Sequence, residues 1–220
     1  MAPRRDQART RLARAAVVEA ARSLFLERGY GATTMEAISE GADVPAATVY
    51  RLFSSKLGIL KSLLDVSIGG DDQDVAFADR PPVQDLLGHP DPRQQVAGFV
   101  AVTVQVNKRV APLYRILVSA AGVDPDAAAL LDELTRQRQQ GQRVIAKALA
   151  RSGALQPGLN ERAAADVIHA LLSPELYRLL VVDRAWKHDR YQRWLTDLLG
   201  EQLLRSGSPA ATRPAPRAPT

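Results

Sequence analysis

The sequence predicts an all-α protein of about nine helices, and three observations lead there. Apolar residues recur at the three- and four-residue spacing of a helix face, as in Val17, Ala20, Ala21, Leu24 and Phe25. The breaks between such runs carry helix punctuation: Asp91-Pro92 and Asp124-Pro125 ahead of a run, Gly29 and Gly153 behind one. The valine-rich run after Asp91 also suits a strand, but at about 17 residues it is too long for one.

Composition bounds the function. The chain has 220 residues and 46% hydrophobic content, enough for one large domain or two modest ones. The absence of cysteine excludes disulfides, thiolate zinc sites and cysteine nucleophiles. No leading apolar run resembles a signal peptide, and no stretch reaches ~18 uncharged apolar residues, so a soluble cytoplasmic protein with no membrane partner is expected. A net charge of +5 and a pI near 9.8 favour a polyanionic partner.

Taken in order, residues 1–9 read as a flexible basic arm carrying Arg4 and Arg5 against Asp6. Thr10 to Gly29 is the first clear helix, with Gly29 as its stop. Thr33 and Glu36 suit a capping box for the next one. Thr33 to Lys56 then reads as two short helices joined by a tight corner. Met35 to Gly41 is the first, with Met35 and Ile38 inward. Ala42-Asp43-Val44-Pro45 is the turn, where Asp43 tolerates a left-handed backbone. Ala46 to Phe53 is the second, with Val49, Leu52 and Phe53 inward and Thr48 and Arg51 outward. Pro45 presets φ for the helix start but offers no side-chain cap. Small residues flank the corner, so two backbones can cross closely. This is the sequence form of a helix-turn-helix.

Lys56 to about Ile68 is a fourth helix, with Leu57, Leu60, Leu63 and Leu64 inside. The segment from Gly69 to Pro92 is irregular, with a short helix expected near Pro82–Leu87. Its aspartates lack the spacing of a calcium loop. Residues 62–95 carry seven aspartates against two arginines, following a basic N-terminal stretch, which places a polyanion-binding face at the N-terminal end. Helices are then expected over 91–108, 112–121, 124–152, 160–183 with a kink at Pro174, and 188–204. Residues 206–220 hold four prolines and no acid and are expected to be disordered. The expected division is a basic arm at 1–9, a helix-turn-helix domain at 10–68, a helical regulatory and dimerisation domain at 69–205, and a tail at 206–220.

The stretch also resembles the TetR family of transcriptional regulators. The residues that carry the resemblance are Gly29-Tyr30, Thr33-Thr34, Ile38, Ala42-Asp43-Val44, Thr48-Val49-Tyr50, Phe53, Ser55-Lys56 and Leu60. It begins near Thr10 and covers about the first third of the chain. Asp43 stands where the family usually has glycine, and Pro45 where it usually has serine or threonine. The resemblance implies that Thr34, Thr48, Tyr50 and Lys56 face the DNA backbone, with Ala46, Ala47 and Arg51 near base edges. Ala46 and Ala47 suit thymine methyls, and Arg51 a guanine edge or a phosphate.

The resemblance further implies that the last two helices pair with those of a second copy. Ala164, Val167, Ile168 and Leu171 form one apolar stripe and Tyr191, Trp194, Leu195, Leu198 and Gln202 the other, so Val167, Leu171, Tyr191, Trp194, Leu195 and Leu198 are the interface candidates. Packing of these stripes within their own subunit is the alternative. A ligand cavity would draw on Phe99, Thr103, Tyr114, Leu117, His169 and Tyr177, residue types more often found in a plain core than lining a pocket; His169 suits either a satisfied core histidine or a donor to a ligand.

No catalytic set is present. G-x-S-x-G, H-E-x-x-H, P-loop and dinucleotide-glycine patterns are all missing, and His89, His169 and His188 lack ligand spacing. No metal, no cofactor and no enzymatic activity are expected. The resemblance thus implies a homodimeric repressor of double-stranded operator DNA, released by an unidentified apolar effector. The alternatives are an activator or ligand-independent regulator of the same fold, and a helical small-molecule-binding protein without specific DNA binding.

Overall fold

The computed structural model describes residues 3–70 and 80–205, with side chains from Gln7 onward. It is helical throughout: α1 (Pro3–Ala32), α2 (Met35–Ala42), α3 (Ala46–Phe53), α4 (Lys56–Gly69), α5 (Pro81–Leu87), α6 (Pro92–Ala121), α7 (Pro125–Arg151), α8 (Glu161–Leu171), α9 (Pro174–Tyr177), a π-helical turn (Arg178–Asp183) and α10 (His188–Leu203). Among the described residues the only β-type pairing is an isolated antiparallel bridge between Leu155 and Leu204. The aspartate cluster at 71–79 and the tail at 206–220 lie outside the described residues.

Several boundaries differ from expectation, each for a local reason. Helix α1 begins at Pro3, so residues 3–9 extend the helix rather than preceding it as an arm; proline suits a first helical turn. Gly29 does break the helical dihedrals (φ 77, ψ 172), but one further turn follows to Ala32. Helix α6 runs unbroken through Pro112. Val110, Ala111 and Leu113 are all buried around that proline, so tertiary burial offsets its missing N–H. At Pro174 the reverse holds: the helix ends at Leu171 and restarts instead of kinking. Ser173 supplies a new cap, its hydroxyl accepting from the Leu176 N–H at 3.1 Å, and Pro174 takes the first helical position.

The N-terminal cap of α2 also shifts by one residue. Thr34, not Thr33, is the cap, with its side chain accepting from the Ala37 N–H at 3.1 Å. Thr33 is fully buried and donates to the carbonyls of Gly29 at 2.8 Å and Leu24 at 3.3 Å. It thereby ties the residue after α1 back onto that helix.

Packing divides the chain into two compact units, Met1–Val75 with Gln105–Gln137, and Ala76–Val104 with Arg138–Thr220. This differs from the expected division at residue 68, because the C-terminal part of α6 and the N-terminal part of α7 share a core with the helix-turn-helix. In the first unit Val17, Ala21 and Phe25 of α1 meet Met35 and Ile38 of α2, Val49 and Phe53 of α3, and Ile59, Leu60, Leu63 and Leu64 of α4. Val110, Leu113 and Leu117 of α6 and Leu130 and Leu134 of α7 complete that core. In the second unit the buried residues include Val96, Phe99 and Val100 of α6, Ile145 and Leu149 of α7, Ala164 and Ile168 of α8, and Tyr191, Leu195, Leu199 and Leu203 of α10.

Candidate nucleic-acid interface and regulatory residues

The corner between α2 and α3 is set by one left-handed residue and one side-chain hydrogen bond. Asp43 adopts the left-handed conformation (φ 52, ψ 41) and its N–H bonds the Glu40 carbonyl at 3.2 Å. Ser39 Oγ donates to the Val44 carbonyl at 2.6 Å, tying the turn back onto α2. Pro45 then opens α3 with no side-chain cap, while its carbonyl accepts from the N–H groups of Thr48 and Val49. Helix α3 buries Val49 and Phe53 and exposes Ala47, Tyr50 and Arg51, with Ala46 and Thr48 half-buried.

The candidate DNA-facing residues differ in how far they are already engaged. Arg51 is exposed, and its side chain makes no hydrogen bond or ion pair among the described residues. Thr34 is exposed, and its oxygen serves as the α2 cap while the O–H remains able to donate. Tyr50 Oη donates to Glu36 Oε1 at 3.3 Å, a contact that the capping-box expectation for Glu36 had obscured. Lys56 Nζ donates to the carbonyls of Tyr30 at 2.6 Å and Thr33 at 2.7 Å and lies 4.2 Å from the Tyr30 ring centroid. An ammonium has three donors, so one is left for an outside acceptor. Desolvation lowers the Lys56 pKa, partly offset by the charge of Asp124.

Helix α4 is gripped from two sides within the first unit. Arg109 Nε of α6 donates to the Ser67 carbonyl at 2.8 Å, and Lys61 Nζ pairs with Glu133 Oε1 of α7 at 3.3 Å. Both contacts fall on the helix that follows the helix-turn-helix.

The six candidate ligand residues do not fall in one unit. Tyr114 and Leu117 belong to the first unit, where Leu117 is fully buried and Tyr114 packs against the core. Phe99, Thr103, His169 and Tyr177 belong to the second. Thr103 Oγ1 is buried and finds no hydrogen-bond partner among the described residues. The Tyr191 hydroxyl is in the same position, which the apolar stripe that carries Tyr191 does not signal. Tyr177 Oη lies 2.9 Å from His188 Nδ1, and its ring meets Tyr191 edge-on at 5.5 Å.

His169 is a satisfied histidine that ties α7 to α8. Arg138 donates from Nη2 to His169 Nε2 and from Nη1 to the His169 carbonyl, both at 3.1 Å. Arginine only donates, so Nε2 must accept, and the proton sits on Nδ1, which donates to Gln142 Oε1 at 2.9 Å. Desolvation, then the Arg138 charge, lower the His169 pKa. The unfolded chain therefore takes up a proton first as pH falls below about 6.5. The stability that neutral His169 contributes is complete above that value and is lost as pH falls through the lower folded value. Melting curves between pH 7.5 and 5 are expected to show a larger acid-side loss for the natural chain than for His169→Gln. Parallel curves for the two would contradict the assignment.

The six dimer candidates separate by burial. Tyr191 and Leu195 are fully buried inside their own unit, where α8 and α10 pack on each other. Val167 and Leu171 on α8, with Trp194 and Leu198 on α10, are only half-buried. Among the described residues no group of three His, Cys, Asp or Glu side chains is arranged to hold a metal ion, and no helix is long and apolar enough to cross a membrane.

Residues 17–63 match the family model described as bacterial regulatory proteins, tetR family. The uncharacterized HTH-type transcriptional regulator YdeS of Bacillus subtilis is 29% identical over 172 residues, covering 76% of this chain and 77% of that protein. The structure of SmeT in complex with triclosan superposes with a TM-score of 0.68 at 16% identity, covering 94% of this chain and 99% of that one. Native NalD, the secondary repressor of the MexAB-OprM multidrug efflux pump in Pseudomonas aeruginosa, gives a TM-score of 0.63 at 23% identity, over 88% of this chain and 97% of that one. At such identities the likeness to the two solved structures is one of fold.

Proposed function

Since the chain belongs to the TetR family of bacterial regulatory proteins and is a helix-turn-helix transcriptional regulator, we propose that it is a homodimeric repressor released from a palindromic operator by a small apolar ligand. The observation that carries the DNA part is the split of α3, which buries Val49 and Phe53 and leaves Ala47, Tyr50 and Arg51 outward. A short helix presented in this way can enter a major groove, where Arg51 reads a guanine edge and Ala46 and Ala47 meet thymine methyls. Thr34, Thr48, Tyr50 and Lys56 then contact phosphates and fix the register. Residues 10–68 form the DNA-binding part and residues 69–205 the regulatory and dimerising part. Such a regulator works in the cytoplasm.

The dimer uses the outward rows Val167/Leu171 and Trp194/Leu198. A two-fold protein then matches a two-fold operator. The ligand belongs with Phe99, Thr103, Tyr177 and Tyr191. Two buried hydroxyls without partners among the described residues support an apolar compound that carries hydrogen-bond acceptors. SmeT has been solved with triclosan, a precedent for a small ligand on this fold. The ligand must bind the released state more tightly than the DNA-bound one. Helix α4, held by Arg109 and Glu133, is the lever that carries the change.

Lys56→Ala is expected to weaken binding to all duplexes alike and to lower the salt slope by about one. It also removes the bonds to Tyr30 and Thr33, so the melting temperature falls with it. An unchanged slope would remove Lys56 from the phosphate contacts. The proposal as a whole is tested by fluorescence anisotropy with a labelled fragment from upstream of the gene and a scrambled competitor. Repression is tested separately: deleting the gene should raise the transcript of its neighbour, and a fall in that transcript would identify an activator.

A further inference from the structure

We propose that Arg14 is a positioning residue for the recognition helix, an inference that rests on the DNA-binding reading above. Helix α3 has eight residues, too few to persist without outside support. Its N-terminus has no side-chain cap, because Pro45 occupies the capping position. Its burial rests on Val49 and Phe53. Support at its C-terminal end therefore matters more than usual.

Arg14 of α1 supplies that support. Its Nη1 donates to the Leu52 carbonyl at 3.5 Å, in the last turn of α3. Its Nη2 donates to Ser62 Oγ of α4 at 2.5 Å. The guanidinium lies 4.6 Å from the centroid of the Phe53 ring. One cation thus engages the final turn of α3 and the helix that follows it. A positive charge is favourable at a helix C-terminus. Only arginine combines a planar fork with a face that stacks on an aromatic ring. Arg14 is itself exposed, so these contacts, and not enclosure, fix its place.

The consequence is separable from a phosphate contact. Base readout requires the recognition helix to hold one orientation in the groove, whereas the general phosphate attraction does not. Loosening the last turn of α3 should therefore lower selectivity and leave the salt dependence alone.

The test takes the duplex that the natural chain selects from a randomised pool and measures anisotropy against a scrambled duplex at several salt concentrations. Arg14→Ala is expected to lower the ratio of the two affinities by about five-fold, with the salt slope unchanged. Amide exchange at residues 50–53 should quicken by a similar factor, while exchange in α2 stays the same. Arg14→Lys keeps the charge but not the fork, so it should restore only part of both effects. A slope reduced by about one, with both duplexes weakened equally, would make Arg14 a phosphate contact and overturn the proposal. Unchanged selectivity with a lower melting temperature would make it merely structural and overturn it as well. A natural chain that selects no duplex fails on the DNA-binding reading instead; the exchange data, which need no DNA, then still show whether Arg14 holds α3.

Discussion

Leu198→Arg is expected to convert the proposed dimer into a folded monomer in sedimentation velocity. Helix α10 has two apolar faces. Tyr191, Leu195, Leu199 and Leu203 point into the protomer and are almost completely buried. Trp194 and Leu198 lie one turn apart on another face and remain half-exposed. Helix α8 repeats the arrangement, with Ala164 and Ile168 buried and Val167 and Leu171 half-exposed. A charge at position 198 is tolerable in a monomer, because the side chain can reach water. In a symmetric interface the same residue meets its own copy or a close neighbour, so the substitution places two like charges in one apolar seam. Operator affinity should fall by about 10² or more, since each half-site must then be bound without its tethered partner. A variant that still sediments as a dimer would move the interface elsewhere.

Gly58→Ala is expected to damage the recognition helix without touching its outer face. A β-carbon at Gly58 would lie 2.2 Å from the Phe53 carbonyl oxygen and 3.3 Å from the Phe53 carbonyl carbon. Both atoms are backbone, so no side chain can swing aside. The corner is already tight: Ser54 has φ 61 and ψ −38, and the Ser55 N–H reaches the Phe53 carbonyl at 2.6 Å. The end of α3 must therefore shift away from the start of α4. Overpacking of this kind costs about 1–3 kcal/mol, which corresponds to a melting temperature lower by roughly 2–12 °C. DNA selectivity should fall even well below the melting temperature, because the displaced element is the helix proposed to enter the groove. A variant with an unchanged melting curve would show that the corner has slack.

The apolar rows on α8 and α10 were visible as periodicity, yet periodicity alone could not divide Tyr191 and Leu195 from Trp194 and Leu198. Adjacent positions on one stripe differ only in which neighbour they meet. The helix-turn-helix was legible because its spacing combines small residues at a corner, an αL-tolerant Asp43 and inward Val49 and Phe53. The engagement of Lys56 was not, since its acceptors are the main-chain carbonyls of Tyr30 and Thr33, which carry no residue signature. Arg14 was hidden by sequence distance, since its partners lie 38 and 48 residues away. Pro112 and Pro174 show the limit of local rules, since one is carried through by buried neighbours and the other ends a helix beside a capping serine. The grouping of the second half of α6 with the DNA-binding helices likewise depends on tertiary burial around Leu113 and Leu117.

The central claim is that α3 reads base sequence. The most direct measurement is selection of bound duplexes from a randomised pool by the purified chain, followed by affinity measurements on the enriched and scrambled sequences over a range of salt. The account predicts enrichment of an inverted repeat whose tight binding survives a scrambled competitor at moderate salt. No enrichment, with weak binding that collapses equally for every duplex as salt rises, would leave only the general phosphate attraction and would contradict it.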